Sequence, residues 1–272
     1  CYAAKEEGRG RIVEYVAESV DFRRRAEEMD WVARLTEALD HNRFRLFWQP
    51  IRPVNGDESL RHGEVLLRFI EADGSLTPPG AFLPAAERYQ LMGRIDRWVM
   101  EHAFQWLAGH PGNLCLSINL SGQSLTDDGL LAWIEERLKH YGVPCARICF
   151  EVTETAAIAN LQRAVTLMDA LRRRGCRFSL DDFGAGLSSF AYLRNLPIDF
   201  VKVDGAFVRR IVEDPVDRAM VEAVRDVARV MNIETVAEYV ETEAILARLG
   251  ELGVHYAQGW AVGRPVPLDG VA

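Results

Sequence analysis

The sequence predicts an α/β chain folded as a TIM-type barrel, and three observations carry that prediction. Eight short apolar runs of strand length alternate with amphipathic helical stretches through most of the 272 residues. Nearly every run carries a polar residue inside it or directly after it. No Gly-x-Gly-x-x-Gly follows the first run, which weakens the main alternative, a doubly wound open sheet with a dinucleotide crevice.

Taken in order, Cys1 to Ile12 reads as the end of a helix closed by Gly8, with basic residues in reach of its last carbonyls. A chain that opens inside a helix is expected to be a piece of something longer. Residues 19–42 form a charged helical stretch in which Met29, Val32, Leu35 and Leu39 recur at three- and four-residue steps, the pattern of a packed amphipathic helix. The predicted strands then fall at 44–51, 63–69, 114–120, 148–153, 178–181, 200–203, 235–239 and 254–258. Helices are predicted between them, among them 94–108, 127–140, 158–174 and 216–231. In the last of these, Met220, Val224, Val227 and Met231 give the one-sided stripe of a helix laid on a sheet.

With 49% apolar and 26% charged residues the chain has the material for a large core. Its net charge of -8 argues against a general binder of nucleic-acid backbones, while leaving room for a metal-filled pocket that takes an anionic substrate. The five cysteines include no Cys-x-x-Cys, which points to a reducing, cytoplasmic setting without a disulfide framework. No apolar run reaches the length of a membrane span and the first residues are not a signal peptide, so any anchor is expected outside this chain.

The densest chemistry lies in Asp181-Asp182-Phe183-Gly184-Ala185-Gly186, where two carboxylates close a strand and a glycine-rich loop follows. Like charges this close raise each other's pKa unless a cation sits between them, so the pair asks for a metal or a salt-bridge partner. The alternative is that one Asp caps the loop and the other is solvated. The same arrangement recurs at Glu64, Asn119, Glu151 with Glu154, Lys202 with Asp204, Glu238 and Gln258. A closed parallel barrel brings strand ends to one rim. There, Glu64, Asn119, Glu151, Asp181 and Asp182 would offer the oxygen ligands that suit Mg²⁺ or Mn²⁺ better than zinc. Two ions about 3.5–4 Å apart would hold a phosphate and activate water for in-line displacement. Lys202 would orient or stabilise that nucleophile and Arg68 would grip a phosphate oxygen. Singly, each residue has a structural explanation: a rim salt bridge for Glu64 and Glu154, a turn for Asn119, a surface position for Lys202, an interior hydrogen bond for Gln258. The six histidines make no cluster, His62 and His255 read as structural, and no nucleophile elbow occurs on a strand-helix turn.

Gln49-Pro50-Ile51, Glu64-Val65-Leu66-Leu67-Arg68, Pro79-Gly80-Ala81-Phe82-Leu83-Pro84, Ser117-Ile118-Asn119-Leu120-Ser121, Glu151-Val152-Thr153-Glu154, Asp181-Asp182-Phe183-Gly184, Lys202-Val203-Asp204, Ala237-Glu238-Tyr239-Val240-Glu241 and Gln258-Gly259 together resemble the EAL phosphodiesterase domain. The resemblance covers residues 44–267 and implies a TIM-like (β/α)8 barrel whose first strand is antiparallel to the rest. It implies hydrolysis of cyclic di-GMP to linear pGpG. Two Mg²⁺ or Mn²⁺ ions per site are implied, with Ca²⁺ inhibitory. Carried over by residue, the first metal site falls on Glu64, Asn119, Glu151 and Asp181, and the second draws on Asp181 and Asp182. Glu238 would bind metal directly or through water, Lys202 would position the hydroxide, and Gln258 would line the site. Gln49 and Arg68 would contact substrate, Glu154 would steady the loop at 182–189, and Asp204 would support the site from the next shell of residues. A homodimer is the family-level expectation.

Residues 1–12 also resemble the tail of a GGDEF diguanylate cyclase domain. The expected organisation is therefore a remnant of such a domain at 1–18, a helical connector at 19–42 and the EAL barrel at 43–272. The parent would be a tandem GGDEF-EAL protein acting in the cytoplasm, with any tether to the inner membrane outside this chain. The rival from a different class is a receptor that binds cyclic di-GMP without cleaving it and signals through the connector.

Two departures from the family pattern stand out. Glu-Ala-Leu is Glu64-Val65-Leu66 here, an exchange that a strand tolerates. The usual Ala-Glu-Gly-Val-Glu is Ala237-Glu238-Tyr239-Val240-Glu241. Strand alternation predicts that Tyr239 faces away from Glu238 and replaces glycine at little cost.

Overall fold

The computed structural model describes residues 20–56, 61–184 and 192–271, so the expected remnant at 1–18 and most of the loop at 182–189 lie outside the described residues. The charged stretch that opens the description is one helix, α1 (Val20–His41). It packs along a face made by Trp31, Leu35 and Ala38, with Leu35 and Ala38 fully buried. The Trp31 ring meets Phe69 edge-on at 5.3 Å and Phe82 at 5.7 Å, and the Arg34 guanidinium covers it at 3.9 Å. The expected stripe is thus rotated: Met29 stays exposed because the indole, the larger apolar group, takes the contact.

Ten strands are described: β1 (Phe44–Pro53), β2 (His62–Ile70), β3 (Leu76–Thr77), β4 (Cys115–Asn119), β5 (Ile148–Thr153), β6 (Arg177–Phe183), β7 (Phe200–Val203), β8 (Glu234–Ala237), β9 (Tyr256–Gln258) and β10 (Val266–Pro267). β2, β4, β5, β6, β7, β8 and β9 pair in parallel in that order, and β1 closes the ring by lying antiparallel to both β2 and β9. The result is a closed eight-stranded barrel with helices outside, as the alternation of runs predicts, with the antiparallel first strand that the EAL resemblance implies. β3 and β10 are two-residue additions to β2 and β1, too short to leave a periodic signal.

The helices are α2 (Leu83–Arg88), α3 (Met92–Gly109), α4 (Gly122–Leu125), α5 (Leu130–Tyr141), α6 (Glu154–Ala159), α7 (Leu161–Arg172), α8 (Gly205–Val208), α9 (Pro215–Val230) and α10 (Glu243–Leu252). The helix predicted at 158–174 is two helices, because Asn160 leaves the helical region at φ -131 and Thr153 caps an earlier start at Glu154. α9 begins where Asp214 accepts the Val216 and Asp217 N–H groups and Pro215 occupies the first turn. Its buried face is Val221, Val224 and Ala228, so of the predicted stripe Val224 is fully covered while Met220 remains 37% exposed.

The main core lies between strands and helices. A second apolar group, Ile51, Cys115, Cys149, Phe200 and Val236, fills the barrel interior and forms a floor beneath the polar residues described below. His62 is buried with its Nε2 2.8 Å from Ser117 Oγ, and His255 is held by Thr235, the structural roles expected of both. Among the described residues the cysteines are free, and no helix is long and apolar enough to cross a membrane.

Candidate active site

Strand alternation places Glu64 and Gln49 at the same register of the antiparallel β1–β2 pair, and Asn119 beside Glu151 across β4–β5. Asp181 and Asp182 need something more, since neighbours on a regular strand point to opposite faces. The β6–β7 register runs Leu180–Val201 and then Phe183–Val203, so two residues of β6 stand against Lys202 alone. This bulge puts Asp182 at φ +55, a conformation that Asp tolerates better than most side chains. Both carboxylates thereby stay near the site.

Lys202, 1% exposed, is the hub. Its Nζ lies 2.8 Å from Glu151, 2.9 Å from Glu238, and 3.2 Å from Glu64 and from Asp181. Glu64 also accepts from Asn119 Nδ2 at 2.7 Å and from Gln258 Nε2 at 2.7 Å. Gln258 Nε2 reaches Gln49 Oε1 at 3.3 Å, and Gln49 Nε2 donates to the Gly263 carbonyl at 3.0 Å. Arg68, four residues along β2 from Glu64, is held over the Phe47 ring at 5.3 Å and donates to the Leu67 carbonyl.

Five carboxylates around one ammonium leave the site short of positive charge. Burial pushes Glu151 up to about 8; Lys202 opposes this, while Glu64 and Asp181 add to it. Glu238 goes up to about 8 for the same reasons, with burial first. Burial and then Asp181 raise Asp182. For Glu64 burial is outweighed by Lys202 and by the Gln258 and Asn119 hydrogen bonds, so its carboxyl is held below the usual range. Burial alone would lower Lys202, yet Asp181, Glu151, Glu238 and Glu64 together raise it well above its ordinary value. It is an ammonium at any physiological pH.

Ligand oxygens of Asp181, Asp182 and Glu238 lie within 4.8 Å of one another, close enough to share a cation. Gln258 Oε1 is buried with no hydrogen-bond partner among the described residues. An all-oxygen, acidic donor set with a spare acceptor fits a hard divalent cation.

The remaining predicted residues lie around this centre. Glu154 opens α6, accepts the Gly184 N–H at 3.2 Å and takes the Tyr192 hydroxyl hydrogen bond. Asp204 caps α8, its Oδ1 accepting the Ala206 N–H at 2.6 Å. The expectation for Tyr239 is overturned: β8 ends at Ala237, and Tyr239 sits in the left-handed region at φ +52. The usual glycine there suits a turn, not a strand.

The sequence reading missed Asp96, a 4% exposed carboxylate on α3 that accepts the Ser121 N–H at 2.9 Å and the Ser124 hydroxyl at 2.6 Å. It anchors the chain directly after Asn119. The available signal was an acid on the apolar face beside Met92, Ile95 and Val99.

A closed barrel with an acidic, lysine-centred cluster at its strand ends defines a class of enzyme-like barrels with a cation-competent rim. The EAL domain family matches residues 32–265, and the chain belongs to that family. It is 42% identical over 271 residues to cyclic di-GMP phosphodiesterase PdeB of Shewanella oneidensis, covering 98% of this chain and 32% of that protein. It is 37% identical over 238 residues to cyclic di-GMP phosphodiesterase PdeF of Escherichia coli, covering 86% of this chain and 32% of the relative. The chain thus spans about a third of the length of these curated relatives. Among solved structures, the EAL domain of FimX from Pseudomonas aeruginosa bound to c-di-GMP superposes with a TM-score of 0.82 at 33% identity, covering 87% of this chain and 96% of that one. The PaMucR phosphodiesterase in complex with c-di-GMP gives a TM-score of 0.82 at 32% identity, covering 88% and 98%.

Proposed function

We propose that this chain is a metal-dependent phosphodiesterase that hydrolyses cyclic di-GMP to linear pGpG. The observation that carries the reading is the arrangement of Glu64, Glu151, Asp181 and Glu238 about Lys202 Nζ, with Asp182 beside them. The two relatives named as cyclic di-GMP phosphodiesterases and the two EAL structures with c-di-GMP support it.

Glu64, Asn119, Glu151 and Asp181 would hold one Mg²⁺ or Mn²⁺, and Asp181, Asp182 and Glu238 a second. When bound, such ions supply Lewis acidity and make a water nucleophilic near neutral pH. An ammonium only donates hydrogen bonds, so Lys202 places and stabilises an oxygen anion and does not remove a proton. Proton acceptance falls to Glu238 and Asp182. Arg68 holds a phosphate oxygen, and Gln49 and Gln258 orient the substrate by amide hydrogen bonds. Residues 43–272 would form the catalytic unit and 19–42 the connector, working as a homodimer joined to a GGDEF domain in the parent protein.

The test is hydrolysis of cyclic di-GMP with Mg²⁺, Mn²⁺, Ca²⁺ or EDTA, beside a binding titration. Release of pGpG with Mg²⁺ or Mn²⁺, lost in Glu64→Ala and Asp181→Ala, is the expected result. Full activity in Glu64→Ala would sink the metal assignment, and tight binding without cleavage under every metal would make the chain a receptor.

A further inference from the structure

The turn after β8 carries Glu238 between two neighbours. The Glu238 N–H donates to the Val203 carbonyl at 3.3 Å, and the Val240 N–H donates to the Gln258 carbonyl at 3.0 Å. Tyr239 stands between them at φ +52, where a side chain is disfavoured and glycine is at ease. Its ring lies directly on Gly205: a Cβ at that position would come 2.2 Å from the ring's Cδ2 and 2.7 Å from its Cγ. The Arg209 guanidinium carbon sits 4.2 Å from the ring centroid. Gly205 and Arg209 are the first residue and the C-cap of α8, four positions apart and so on one face of it. The ring therefore spans the short helix that follows Lys202 and Asp204.

We propose that Tyr239 is a positioning residue: by bracing the Glu238 turn against Gly205 and Arg209 it sets the Glu238 carboxylate beside Asp181 and Asp182 for a divalent cation. The role rests on the metal-dependent reading above. A glycine at 239 leaves this turn held by those two backbone hydrogen bonds, by the Ala261 N–H donated to the Val240 carbonyl at 2.9 Å and by the ion pair of Glu238 with Lys202. The aromatic adds an attachment to α8, the helix directly after the strand that carries Lys202, and that lysine reaches Glu238 at 2.9 Å. Gly205 is the complement that gives the ring room.

The test is Mn²⁺ binding to the full chain, without substrate, by calorimetry, with thermal midpoints taken in EDTA. Tyr239→Gly is expected to weaken Mn²⁺ about tenfold, the scale seen when a group supporting a metal ligand is lost. Its midpoint should stay near that of the parent, since glycine relieves the left-handed backbone as the ring contact is lost. Tyr239→Phe should keep full affinity. Gly205→Ala should weaken binding like Tyr239→Gly, and should add nothing in the Tyr239→Gly background, where the ring it displaces is gone. Unchanged Mn²⁺ affinity in Tyr239→Gly, or additive losses in the double variant, overturns the positioning role. Absence of Mn²⁺ binding by the parent chain overturns the metal reading itself and this role with it.

Discussion

Lys202 Nζ and the Glu151 carboxylate meet at 2.8 Å with each side chain only 1% exposed. Three further carboxylates share the same ammonium. Lys202→Met leaves them without their counter-charge, and removing one partner of a buried pair costs about 3–5 kcal/mol. Urea unfolding in EDTA is expected to show a loss of that size. In the enzyme assay the same variant should lower kcat more than it raises KM.

Asp96 ties stability to pH. Burial raises its folded pKa despite the Ser121 and Ser124 hydrogen bonds. The folded chain therefore holds this proton more tightly than the unfolded chain, and Asp96's contribution to stability falls as pH rises from the ordinary carboxylate value through the raised one. In Asp96→Asn this fall is absent, so the parent minus Asn difference in unfolding free energy should decrease between pH 4 and pH 7. A difference that instead increases with pH would reverse the assignment.

Gly63→Ala probes how tightly β1 and β2 are joined beside Gln49 and Glu64. A Cβ at Gly63 would lie 2.1 Å from Trp48 Nε1 and 2.6 Å from the Gln49 carbonyl, the second of which is backbone and has little room to move. A loss of about 1–3 kcal/mol is expected in chemical denaturation, as for other overpacked sites.

Glu154→Ala removes the acceptor for the Gly184 N–H and the Tyr192 hydroxyl. Hydrogen bonds to a charged group contribute about 1.5–3 kcal/mol, so exchange of the Gly184 amide should quicken by roughly tenfold or more. Exchange at Phe150 and Phe178, in neighbouring strands, should be unaffected.

Much was legible from one dimension. The alternation of apolar runs and amphipathic stretches set a barrel, because each strand needs a helix to cover its outer face. The strand-end polar residues, from Glu64 to Gln258, followed from the same reading, since parallel strands must end on one rim. Helix faces were less legible: Met29 and Met220 match the period, yet Trp31 and Val221 take the contacts, because packing selects among residues that periodicity treats alike.

Other features were decided only by tertiary structure. The bulge that keeps Asp181 and Asp182 near one site depends on how β6 pairs with β7 at Lys202, and no local pattern encodes a register shift. Tyr239 reads as one more strand residue until β8 is seen to stop at Ala237 and its ring is seen on Gly205, 34 positions away in sequence. The sequence by itself determined which side chains reach the rim. Their charge states and exact placement belong to the folded barrel, because burial and the shared Lys202 ammonium arise only once distant strands close the ring.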